Sequence, residues 1–200
     1  MPITVAIIQA RMGSSRLPGK VLMDINGKPM IHHVIERTLK AIPEVILATT
    51  NLPEDDVLAE ACKDKGVRIY RGHPTDVLER YIHAAQLVEA DKIIRVTGDC
   101  AMIEPQVIKH VETALTEEFD YASNLMPRSY PKGLDCEALW FDVLLRLRRL
   151  SKPEDREHVT QFIRRNPDRF NIVNVSENRA AFNLSVDTQE DLDRVRELMK

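Results

Sequence analysis

The most chemically loaded stretch of this chain is Gln9-Ala10-Arg11-Met12-Gly13-Ser14-Ser15-Arg16-Leu17-Pro18-Gly19-Lys20, which follows directly on an apolar run over residues 3–8. A buried strand that ends in glycines, serines and fixed cations suits the grip of a nucleotide triphosphate. Gly13, Ser14 and Ser15 can direct backbone N–H groups at phosphate oxygens, while Arg11, Arg16 and Lys20 supply charge. Pro18 stiffens the loop and Gly19 lets the chain turn. The spacing excludes two commoner phosphate loops. Five residues separate Gly13 from Gly19, and Val21 stands where a P-loop carries its metal-binding hydroxyl. The G-x-G-x-x-G pattern of dinucleotide folds does not occur here.

A triphosphate site also needs metal ligands. Asp99 follows an apolar strand over 93–96 by the short Thr97-Gly98 turn, which puts its carboxylate at the same sheet edge as the loop and suits a magnesium ligand. Magnesium takes one or two carboxylates with phosphate oxygens and water, so a second acid is expected from elsewhere. Asp187 is the candidate. Its local sequence, Asp187-Thr188-Gln189-Glu190, reads equally as a capping box for the last helix. Gln9, Ala10 and Thr97 border the expected base pocket. His73, His83 and His110 show no ligand spacing, which argues against zinc.

A second cluster, Arg128-Ser129-Tyr130-Pro131-Lys132-Gly133-Leu134-Asp135, combines cations, an aromatic ring and a carboxylate. Tyr130 can stack on a sugar face while Arg128 or Lys132 meets a carboxylate or phosphate. Asp135 and Glu137 alternate around Cys136 and would face one side of a strand as a carboxylate pair, unless one is paired with Arg128 or Lys132. His158, at an expected helix start, can contact acceptor hydroxyls.

These residues are to be positioned by alternating strands and amphipathic helices, the pattern of a mainly parallel sheet wrapped by helices. Strands are expected over 3–9, 44–49, 67–70 and 92–96, with helices over 30–41, 54–65, 76–89 and 106–116. Beyond about residue 120 the rhythm changes. Strands are expected over 121–124, 137–141, 170–175 and 182–186, and helices over 142–150, 154–165 and 189–199. No linker composition separates the two parts. The expectation is one α/β domain over 1–200, with a nucleotide-binding half (1–120) and an acceptor-binding half (121–200) on one mixed sheet sandwiched by helices.

Composition bounds the partners. The chain has 200 residues, 44% hydrophobic and 30% charged, with a formal net charge of -3 and a pI near 6.1, so nothing attracts it globally to nucleic acid or an anionic membrane. Cys62, Cys100 and Cys136 are odd in number and widely spaced, which fits a reduced, cytoplasmic protein rather than a disulfide scaffold. No run approaches the ~20 apolar residues of a membrane span.

The string QARMGSSRLPGK, with Lys28-Pro29-Met30-Ile31 after it, resembles the opening of the cytidylyltransferases that activate acidic sugars as CMP-sugars, and most of all the spore-coat polysaccharide branch. The likeness continues in Arg95-Val96-Thr97-Gly98-Asp99-Cys100, Tyr130-Pro131-Lys132-Gly133-Leu134-Asp135, Arg156-Glu157-His158-Val159-Thr160 and Ser185-Val186-Asp187-Thr188. It implies a glycosyltransferase-A-like, Rossmann-like nucleotidyltransferase fold, CTP as donor, Mg²⁺ as cofactor and a homodimer. It also implies Asp187 as a metal ligand beside Asp99. Transfer of CMP to an acidic sugar, with Lys20, Arg16 and Arg11 neutralising the triphosphate, is the activity the resemblance implies.

Overall fold

The computed structural model describes residues 2–177 and 182–200. Its frame is a seven-stranded sheet built on β1 (Thr4–Gln9), β4 (Val45–Thr50), β5 (Arg68–Gly72), β6 (Lys92–Thr97), β7 (Tyr121–Ser123), β8 (Glu137–Trp140) and β9 (Ile172–Asn174). The order is β5-β4-β1-β6-β8-β7-β9. The first four strands run parallel, β8 is antiparallel to both of its neighbours, and β9 is parallel to β7. This is the mostly parallel mixed α/β sheet expected.

Alternation along β1 divides the core. Ala6 and Ile8 face a layer containing α1 (Met30–Leu39), α2 (Asp56–Cys62), α4 (Pro105–Ala114) and α7 (Gln189–Leu198). Val5 and Ile7 face the other layer, with α3 (Val77–Gln86), α5 (Phe141–Leu150) and α6 (Gln161–Arg165). Helices on both faces bury the sheet, which is why its central strands read as continuous apolar runs. A small hairpin of β2 (Asp24–Ile25) and β3 (Lys28–Pro29) turns through Asn26-Gly27, both at positive φ.

Register sets the site. β1 and β6 pair from Thr4↔Lys92 to Gln9↔Thr97, so both strands deliver their following loops to one edge. Gly98 donates its N–H to the Gln9 carbonyl at 2.8 Å. A Cβ there would lie 2.8 Å from Ala10 Cβ and 3.1 Å from Gln9 O, so a larger residue would push the Asp99 turn off the end of β1.

Two expected elements differ. The helix over 154–165 is instead a 3-10 segment (Pro153–His158) and the short α6, broken at Val159, whose φ is +45°. Thr160 bonds the buried Glu137 at 2.6 Å, and this tertiary contact prevails over local helix propensity. The stretch 182–186 makes one isolated bridge, Lys132↔Asn183, rather than a strand of the sheet. Its polar groups are met by loops: Lys132 N–H donates to Phe182 O (3.1 Å), Leu184 N–H to Lys132 O (2.6 Å) and Val186 N–H to Asp99 O (3.0 Å).

The segment thus clips Asp187 between two loops, and Gly133 permits it. Gly133 has φ +98°, and a Cβ there would stand 2.4 Å from Leu184 C and Ser185 N. Gly133→Ala is expected to cost about 3 kcal/mol by combining strain with overpacking. Urea unfolding at neutral pH measures it, and a loss below about 1 kcal/mol would contradict the close approach.

Candidate active site

The loop after β1 is docked before it can bind anything. Buried Asp55 accepts from Met12 N–H at 2.6 Å and from the Thr50 hydroxyl. Gly19, at φ +71°, donates its N–H to Met12 O at 2.9 Å, closing the loop on itself. Its end, the 3-10 turn Lys20–Leu22, is buried at Lys20 and Val21.

That burial aims the Lys20 ammonium at the sheet edge. It donates to Val186 O (2.5 Å), Asp187 Oδ1 (3.0 Å) and Asp99 Oδ2 (3.3 Å). Asp99 Oδ1 in turn accepts from the Thr97 hydroxyl at 2.6 Å. Arg16 reaches Asp187 Oδ1 at 2.8 Å, and Lys132 reaches its Oδ2 at 3.0 Å. Burial pushes the Asp187 carboxyl up, but the hydrogen bonds and charges of Lys20 and Lys132 outweigh it and hold it below the usual carboxylate range. Asp187 does not cap α7. Thr188 does, with its hydroxyl accepting from Asp191 N–H (3.2 Å) and Asp191 returning the bond (3.0 Å).

A cleft of about 320 Å³ opens over this cluster, lined among others by Gln9, Ala10, Ser14, Ser15, Thr97 and His158. Arg11 also borders it but is engaged elsewhere, on Glu157 (3.0 Å) and the Pro74 carbonyl (3.5 Å). Ser14 N–H is spent on Met12 O at 2.8 Å, so it does not point at a ligand as the loop's composition suggested. Cys100, beside Asp99, is no nucleophile: burial and the nearby carboxylates push its thiol well up.

The expected acceptor residues separate. Tyr130 is only 3% exposed and belongs to the core, which corrects its reading as a stacking platform. Asp135 is held bidentately by Arg128, at 2.5 and 2.9 Å. Glu137 does not pair with Asp135. It is buried under the cleft, accepting from Arg95, from Tyr121 (2.5 Å) and from Thr160 (2.6 Å). Burial raises its pKa, yet the Arg95 charge and the two hydroxyls hold the carboxyl below its ordinary range. Arg95 also extends toward Gln9 Oε1, at 3.4 Å.

Sequence reasoning missed Asp55, which anchors the loop, and Arg95, which lines the cleft while binding Glu137. For Arg95 a signal was present, a charge at a core-facing position of an otherwise apolar strand.

Four likenesses bear on this geometry. The family model described as Cytidylyltransferase matches residues 5–200. The spore coat polysaccharide biosynthesis protein SpsF of Bacillus subtilis is 30% identical over 205 residues, covering 96% of this chain and 84% of that protein. Among solved structures, a cytidylyltransferase from Leptospira borgpetersenii superposes with TM-score 0.94 at 28% identity, over 98% of this chain and 86% of that one. A CMP:2-keto-3-deoxy-manno-octonic acid synthetase complexed with CTP gives 0.75 at 27%, over 98% of both chains.

Glu137→Gln leaves Arg95 buried beside a neutral amide, and is expected to cost about 3 kcal/mol or more in denaturant unfolding at pH 7. Because the folded carboxyl is held low, its contribution is present above about pH 4.5 and fades as pH falls through the folded value. The wild-type and Glu137→Gln stabilities should therefore converge in acid. A constant gap from pH 7 to pH 3 would contradict the assignment.

Proposed function

This chain belongs to the cytidylyltransferase family and is a nucleotidyltransferase; from that premise we propose that it transfers CMP from CTP to an acidic sugar with release of pyrophosphate. The observation that carries the reading is the convergence of Lys20, Arg16, Asp99 and Asp187 at one end of the cleft. The likeness to a synthetase solved with CTP supports the donor, and the likeness to SpsF supports a role in surface polysaccharide synthesis. The reading extends to a homodimer in the cytoplasm, with residues 1–120 serving the nucleotide and 121–200 the acceptor.

In the reaction an acceptor oxygen attacks the α-phosphorus in line, the bond to the oxygen bridging the α- and β-phosphorus breaks, and pyrophosphate leaves. Positioning and charge neutralisation carry most of such a step. Lys20 and Arg16 would turn from the carboxylates to phosphate oxygens. Gln9, Ala10 and Thr97 line the space for the base, and Gly13, Ser15 and Arg11 complete the loop around the triphosphate. Asp99 and Asp187 are hard oxygen donors gathered on a single ammonium, a pair that fits Mg²⁺ completed by phosphate oxygens. The ion would supply charge to the phosphates and lower the acceptor hydroxyl's pKa. His158, which also lines the cleft, would face the acceptor, with Arg128, Lys132 and Asp135 in the loop behind Asp187.

Pyrophosphate release from CTP, UTP, GTP and ATP with Mg²⁺ and a panel of acidic sugars tests the reading. Release is expected with CTP, and Lys20→Ala should lower kcat/KM by about 100-fold or more. Release with UTP or GTP but not CTP, or an unimpaired Lys20→Ala enzyme, would overturn it.

A further inference from the structure

The nucleotide cleft does not end at His158. The same side chain also lines an adjoining surface recess of about 530 Å³, whose other walls are Gln161, Arg164 and Arg165. On α6, Gln161, Arg164 and Arg165 lie three and four positions apart and share one face, and His158, before the break at Val159, lines the same recess. The strained Val159 turn, with Thr160 N–H bonded to the His158 carbonyl at 2.5 Å, joins His158 to the start of α6.

The two arginines are not equivalent. Arg165 is neutralised by the buried Asp155. Arg164 forms no ion pair or side-chain hydrogen bond among the described residues, and it is exposed. Arg164 lines the recess together with His158, which also lines the nucleotide cleft. Glu137 cannot turn to meet Arg164, being already held by Arg95, Tyr121 and Thr160.

An unspent guanidinium on a recess that shares His158 with the nucleotide cleft has the charge, fork geometry and access to hold a small carboxylate. We propose that the recess lined by His158, Gln161 and Arg164 is the subsite for the carboxylate of a sugar-acid acceptor, with Arg164 its anion-binding residue. This rests on the cytidylyltransferase reading above. An acid held there keeps its hydroxyls on the His158 side, toward the triphosphate. The acceptor specificity of this chain then comes from α6, outside the loops that hold the nucleotide.

Calorimetric titration of the full chain with CMP present tests it, using 3-deoxy-manno-octulosonate as the free acid and as its methyl ester. The acid should bind and the ester should bind at least about tenfold more weakly. Arg164→Glu should weaken the acid by about tenfold or more while leaving the ester and CTP within twofold, and Arg164→Lys should recover part of the loss. No binding of the acid, equal binding of acid and ester, or an Arg164→Glu chain that keeps the acid would overturn the proposal. CTP titrated alone separates the two readings: wild-type protein that fails to bind CTP overturns the donor assignment, whereas CTP binding without charge-dependent acid binding overturns only the subsite.

Discussion

The ammonium of Lys20 is the point on which the rest of the site depends. It joins segments around residues 20, 99 and 187 by bonds to two carboxylates and one carbonyl. An ammonium withdrawn from water is costly unless it is paired and fully bonded, so the three segments must arrive together or the arrangement fails. Each local feature described serves that meeting. Asp55 anchors the loop that carries Lys20, Gly98 lets the Asp99 turn press against β1, and Gly133 lets the segment before Asp187 approach. The Thr188 cap begins α7 directly after Asp187, leaving its carboxylate free for the cluster.

A second polar group, reached from the same cleft through Arg95, does a different job. Arg95 and Glu137 face each other across the antiparallel β6–β8 pair, and Tyr121 and Thr160 satisfy the remaining carboxylate lone pairs. This network joins the parallel part of the sheet to the antiparallel extension and ties the His158 turn down onto both. The nucleotide end of the cleft is built from cations that a substrate can recruit. Beside it, the Arg95–Glu137 ion pair is held in place by its own partners, and in the proposed reading the exposed Arg164 is a charge offered to the acceptor.

Much of this was legible in the sequence because it follows from periodicity and from residue types that have few uses. The strand cores, the helices up to residue 116 and the convergence of the loop with Asp99 all follow from β1 and β6 ending at one edge. Asp187 was legible only as a pair of alternatives, since a cap and a ligand share the same short sequence; the structure gives the cap to Thr188. The misreadings have a common physical source. Tyr130, Glu137 and the 154–165 segment were read from local composition, but each is decided by a distant contact: the core for Tyr130, Arg95 for Glu137, and Glu137 for Thr160. Arg11 and Ser14 show the same limit, as groups suited to phosphate that are occupied by Glu157 and Met12.

In the proposed reaction Asp99 and Asp187, gathered by Lys20, act together with a nucleotide as one cation site. Electron paramagnetic resonance of Mn²⁺, titrated into the protein with and without CTP, reads this directly. The prediction is one tightly held Mn²⁺ per chain only when CTP is present, with Asp99→Asn and Asp187→Asn each weakening it by about tenfold or more. Retention of full Mn²⁺ affinity in either variant, or the same affinity without nucleotide, would contradict it.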